Sequence, residues 1–156
     1  MKPKHSLMLL SLATVIGTSL PVQACSYDGQ FNNPFTESFP GSLDVAIATQ
    51  SALEGNQLNQ IEKLDGNKGL RRASWWLKLM VEQHADEFES VSYIYLVDSH
   101  LWSKVNQGNQ IEIHSTPPKP NNQSTVMLLS EAALYALVND KTDFENAARL
   151  GIVHHY

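Results

Sequence analysis

Asp98-Ser99-His100 brings the three residue types of a hydrolase triad side by side. Adjacency is the wrong arrangement for that chemistry. A working triad gathers its members from separate elements around a serine held on a strained turn beside an oxyanion hole, and no Gly-x-Ser-x-Gly occurs in the chain. Asp and Ser are also ordinary residues of a tight turn, so Asp98 to His100 reads as the link between two strands. Cys25, the only cysteine, offers a second chemistry. If it becomes the first residue of a processed chain, its own amine can serve as the base for its thiol, as in amino-terminal nucleophile hydrolases. Histidines 84, 100, 114, 154 and 155 raise metal binding. None forms an i, i+4 pair on a helix, no Cys-x-x-Cys is present, and His154 and His155 on a strand would face opposite ways. The arrangement left open is His114 meeting His154 or His155 across neighbouring strands, a copper or zinc site. Trp75-Trp76 with Arg71-Arg72 could stack a planar or anionic ligand, against the plainer reading of core tryptophans and solvated arginines. No phosphate-cradling glycine loop and no carboxylate pair of diagnostic spacing appears, and no cofactor is implied.

Residues 1–24 determine where any of this would take place. Lys2 and Lys4 form a basic start, Leu7 to Gly17 an apolar run, and Val22-Gln23-Ala24 a small-residue exit, the pattern of a secretory signal peptide. The run is too short and too interrupted by Ser11, Thr14 and Gly17 for a membrane span of about 20 apolar residues. Cleavage after Ala24 would leave Cys25 first. Val-Gln-Ala-Cys also resembles the lipobox of bacterial lipoproteins, with Ala before Cys and an aliphatic residue two positions earlier. That resemblance implies a lipid on Cys25, which would block both amine and sulfur and abolish the nucleophile reading. The expected location is therefore the periplasm, free or lipid-anchored, with membrane contact only through a lipid on Cys25.

An exported chain with one cysteine cannot form internal disulfides, so a packed core must hold it together. Residues 25–156 are long enough for one such domain. The whole chain carries a formal net charge of −5, and residues 1–24 contain lysines but no acidic residue, so the exported part is more acidic still. A nucleic-acid binder shows a basic face that displaces counterions from phosphates; the one dense basic spot here is Arg71-Arg72, which argues against that class.

The division expected is residues 1–24 as signal, 25–40 as an extended arm, and 41–156 as a single α+β domain. Phe31, Phe35 and Phe39 recur every fourth residue of the arm, but Gly29, Asn32, Asn33, Pro34 and Pro40 break any helix; docking of these rings onto the domain is the expected role. Ser42 begins a helix with Leu43, Ala46, Ile47 and Leu53 on its buried face and Gly55 at its end. Leu58, Ile61 and Leu64 suggest a further helical turn before Asp65-Gly66-Asn67. A helix over about Leu70 to Phe88 has an apolar stripe of Ala73, Trp76, Leu77, Met80, Val81, His84 and Phe88, widened by Trp75 and Leu79, which implies burial on more than one side.

From Val91 to Val97 the period changes to that of a strand covered on both faces. Leu101 to Val105 and Ile111 to His114 form a hairpin across Asn106-Gln107-Gly108-Asn109. Thr116 to Asn122, rich in proline, cannot enter a sheet interior, and Thr125 to Leu129 is a further strand. Ser130 opens a helix with Leu134 and Leu137. Thr142 and Glu145 have capping-box spacing for another, and Gly151 ends it before Ile152-Val153-His154. The sum is a small, mostly antiparallel sheet of three to five strands packed by helices.

The run VMLLSEAALYALVNDKTDFENAARLGIV, Val126 to Val153, loosely resembles the closing unit of sterol carrier protein 2-like domains: strand, helix with leucines three apart, short turn, helix, Gly-ended step into a strand. The resemblance implies an α+β fold with an apolar cavity for lipid-like ligands. The reading that follows is a non-catalytic binding or accessory protein for an apolar small molecule or a partner protein of the envelope. Its expected pocket lies between the Leu70–Phe88 helix and the sheet, lined by Trp76, Met80, Tyr93, Tyr95 and Trp102. Histidine-based metal handling and Cys25-based hydrolysis are the alternatives.

Overall fold

The computed structural model describes residues 39–108, 110–119 and 123–156. Residues 1–38, with the signal, Cys25 and all but the end of the aromatic arm, lie outside them. The chain runs α1 (Ser42–Glu54), α2 (Gly66–Gln83), a 3-10 turn (Ala85–Phe88), β1 (Tyr93–Leu96), β2 (Leu101–Asn106), β3 (Gln110–Ile113), β4 (Val126–Leu129), α3 (Glu131–Val138), α4 (Phe144–Arg149) and β5 (Val153–His155). The strands form one sheet in the order β3-β2-β1-β4-β5. Three neighbouring pairs are antiparallel, and the central pair, β1 with β4, is parallel. The fold is α+β, as the sequence predicts.

Strand parity divides the interior in two, because successive side chains leave opposite faces of a strand. Ile94, Leu96, Leu101, Met127 and Leu129 join Ala73, Leu77, Met80, Leu134, Leu137 and Ala147 in the main core, under α2, α3 and α4. Tyr95, Val97, Val126 and Leu128 face the other way with Val45 of α1, and Phe39, Tyr93 and Trp102 pack around them. The sequence reading of Val91 to Val97 as covered on both faces is what this arrangement requires.

Three local expectations change. In α1 the buried face is Ser42, Val45, Thr49 and Ala52, while Leu43 and Ile47 are exposed, Ile47 by 57%. Small residues win because the helix lies close to its neighbours: a Cβ on Gly151 would come within 3.3 Å of the Ala48 methyl, and the Thr49 hydroxyl donates to Ser130 Oγ at 3.1 Å. Residues 59–65 form no helical turn, and α2 begins at Gly66, inside the stretch read as a loop. It stops at Gln83, so Phe88 reaches the core from the separate 3-10 turn. At α4 the cap is Asp143, whose carboxylate accepts from the Asn146 amide at 2.7 Å, one residue after the expected Thr142. Ser130 caps α3 as expected, accepting from the Ala133 amide at 3.1 Å.

Candidate functional site

Tyr93, Tyr95 and Trp102 gather on the sheet face away from α2 and α3. Antiparallel register places Tyr95 opposite Trp102, and their rings stack with centroids 4.5 Å apart at 25°. Tyr93 meets Trp102 edge-on at 6.4 Å. Phe39 completes the group, 5.1 Å from Trp102 and 5.3 Å from Tyr156, both edge to face. Such offset and T-shaped contacts are the geometries that aromatic quadrupoles favour. Tyr95 is 1% exposed, and its hydroxyl shares a 2.6 Å hydrogen bond with His100 Nδ1. His100 adopts a left-handed backbone (φ 53°) in the β1–β2 turn, and burial holds its imidazole below the usual histidine range, neutral at pH 7. Tyr93 and Trp102 are half-buried and Tyr156 is 59% exposed. The face is therefore an aromatic floor with a fixed polar underside and rings open to solvent at its margin.

The five residues expected to line one pocket do not share a space. Met80 belongs to the main core, and the sheet stands between it and Tyr93, Tyr95 and Trp102. Trp76 lies on the helical layer, 5.2 Å from Tyr135 and beneath the Arg72 guanidinium at 4.8 Å. The signal that separates them was present as parity: Ile94 and Leu96 alternate with Tyr93 and Tyr95, so only one of these pairs can look towards α2.

Asp98-Ser99-His100 forms the turn after β1, as its composition suggests. Ser99 Oγ is buried with no hydrogen-bond partner among the described residues. Both Asp98 carboxylate oxygens accept from the Glu131 amide, at 3.1 and 3.0 Å, which fastens the turn to the first residue of α3. Glu131, 6% exposed, is ion-paired with Arg72 at 3.1 Å. Arg72 also donates to the Glu62 carbonyl at 2.6 Å. The Glu131 carboxylate thus meets the Arg72 guanidinium while its backbone amide donates to the Asp98 carboxylate, at the carboxyl ends of the parallel strands. Crowding by surrounding protein, then the Glu131 charge, push Asp98 up to about 6, although the turn residue as a whole is open to solvent. Sequence reading missed this cluster because Arg72, Asp98 and Glu131 are far apart in the chain; the charged residue at the start of an otherwise apolar α3 was the available hint.

The histidines separate. His114 follows β3 at one edge of the sheet, and His154 and His155 lie on β5 at the other, with three strands between them. At about 4.8 Å per strand step that distance is far beyond shared coordination of one metal. Among the described residues no three His, Cys, Asp or Glu side chains are grouped to hold a metal ion. Crowding, then the neighbouring His154, pull His155 below the usual histidine range, with Glu87 acting in the opposite direction.

Comparison with protein-family models, with curated proteins and with solved structures finds no match in any of the three.

Proposed function

We propose that this chain is an exported envelope protein with a binding or accessory role and no catalysis, and that its aromatic sheet face receives an apolar small ligand. The observation that supports this is the ring cluster around Phe39: Tyr93, Trp102 and Tyr156 present partly open aromatic surface over a fully buried Tyr95. Apolar sites with a few fixed polar groups are the usual form of small-molecule sites, and the Tyr95–His100 pair is such a group. The loose resemblance of Val126 to Val153 to sterol carrier protein 2-like domains points towards a lipid-like ligand. Export rests on residues 1–24, and a lipid on Cys25 would keep the protein at the membrane.

Oleate titrated into isotopically labelled protein tests the reading. Saturable shifts of the Trp102 indole and of the Tyr93 and Tyr156 amides are expected, with affinity at least about tenfold weaker in Trp102→Ala, in line with loss of one buried aromatic contact. Unshifted Trp102 and Tyr156 resonances at saturating oleate would refute this ligand face. Intact mass of the processed chain tests export separately: the expected product starts at Cys25, with or without added lipid.

A further inference from the structure

Helix α2 presents its polar side as an unusual surface for so acidic a protein. Lys68, Arg71, Trp75, Lys78 and Glu82 are all exposed. At 3.6 residues per turn they fall within roughly 80° of one another, opposite the buried Ala73, Leu77, Met80 and Val81. Trp75, in the middle, is 61% exposed, more than any other large hydrophobic side chain described. None of the three cations is paired to a carboxylate among the described residues; the salt bridge of this helix is made by Arg72, on the flank. Four of the chain's 11 lysines and arginines lie in this helix, against one acid, Glu82, in its final turn.

We infer that this stripe is a docking surface for an anionic phospholipid bilayer. Charge and side-chain type select that partner together. Three cations spread over about 15 Å of helix match a plane of anionic headgroups. A tryptophan set among them, with an apolar body and an N–H donor, is the residue that settles at the boundary between headgroups and acyl chains. A net charge of −5 for the whole chain works against adsorption at long range, but screening confines that repulsion to about 8 Å at physiological salt, so the basic face dominates at contact. The packed side of α2 stays in the core, so the helix lies along the surface without inserting its apolar stripe. This surface is distinct from the aromatic sheet face and holds whether or not Cys25 carries lipid.

The test uses the full processed chain with vesicles of phosphatidylcholine alone or mixed equally with phosphatidylglycerol, each carrying brominated acyl chains that quench nearby indoles. A lipid on Cys25 would hold every variant equally, so the readout is the indole itself. Mixed vesicles should blue-shift and quench the tryptophan emission, whereas phosphatidylcholine vesicles should not, and the effect should weaken as salt rises from about 20 to about 200 mM. Trp75→Phe should remove most of the quenching. The triple variant Lys68→Gln, Arg71→Gln, Lys78→Gln, whose positions are all exposed, should keep its circular dichroism and lose on the order of a hundredfold in apparent affinity of the helix surface for mixed vesicles. Absence of quenching on mixed vesicles overturns the proposal, as does quenching unchanged in either variant. Capture of an acidic protein by this face without vesicle binding would assign it to a different partner and overturn it equally. Failure here leaves the oleate titration at Trp102 unaffected, so the two proposals stand or fall separately.

Discussion

Asp98 is a carboxyl whose protonation is tied to the fold. Its carboxylate is fixed at the start of α3 by two contacts to the Glu131 amide and is held up to about 6, against an ordinary value of 3.8. Between about pH 4 and 6 the folded chain therefore binds more protons at this position than the unfolded chain. Asp98 favours folding fully below its unfolded value, and that contribution is lost as pH rises through about 6. Asp98→Asn, whose side-chain oxygen can still accept from Glu131, removes the titration. Urea midpoints of the variant should gain on wild type as pH goes from 4.5 to 7, by an amount moderated by solvent at this open turn; a constant gap would show that the shift is absent. Ser103 gives a second prediction at this scale. It is fully buried in β2 and its hydroxyl has no hydrogen-bond partner among the described residues. Leaving such a group unpaired costs about 1–3 kcal/mol, so Ser103→Ala, which forms only a small void, should raise stability by up to about 1 kcal/mol in a denaturation titration.

Among the elements, the contact of α2 with α3 carries a largely buried ion pair, Arg72 with Glu131. The guanidinium is held on three sides, by Glu131, by the Glu62 carbonyl and by the Trp76 ring. Arg72→Ala removes the cation facing a nearly buried carboxylate and should destabilise by about 3 kcal/mol, the scale of a broken buried pair. The double variant Arg72→Met, Glu131→Gln should recover most of that loss. A mild single variant would mean that solvent reaches Glu131. The same helix shows what periodicity can and cannot say. The apolar repeat placed Ala73, Leu77, Met80 and Val81 in the core, where they lie. It also widened the stripe to Trp75, which faces solvent, because hydrophobicity alone does not distinguish a tryptophan that packs from one that awaits a partner. In α1 the larger residues Leu43 and Ile47 misled in the same direction: closeness to the sheet selected Val45, Thr49 and Ala52.

For the molecule as a whole, fold class was legible because strand and helix periods differ so clearly on either side of Val91 and because Ser130 and Gly151 mark helix boundaries by their chemistry. Strand order was not legible. Nothing local specifies that β4 slots beside β1, in parallel, between it and β5. That non-local pairing decides much of the rest: with β5 beyond β4 it puts His114 at the edge opposite His154 and His155, and it brings Asp98 to Glu131. Of the residues expected to line one pocket, parity directs Tyr93, Tyr95 and Trp102 to the face away from α2, while Met80 lies in the main core.

The edge strand β5 has one further consequence. Backbone pairing continues past His155: the Tyr156 amide donates to the Val126 carbonyl at 2.9 Å, and the Val126 amide donates back to Tyr156 at the same distance. Tyr156 is thus part of the ladder, and its ring is part of the aromatic floor. A perturbation at Tyr156 therefore acts on the ladder and on the aromatic floor together. Deleting His155 and Tyr156 would leave the Val126 amide and carbonyl without these partners, baring part of β4 as an edge able to pair with another chain.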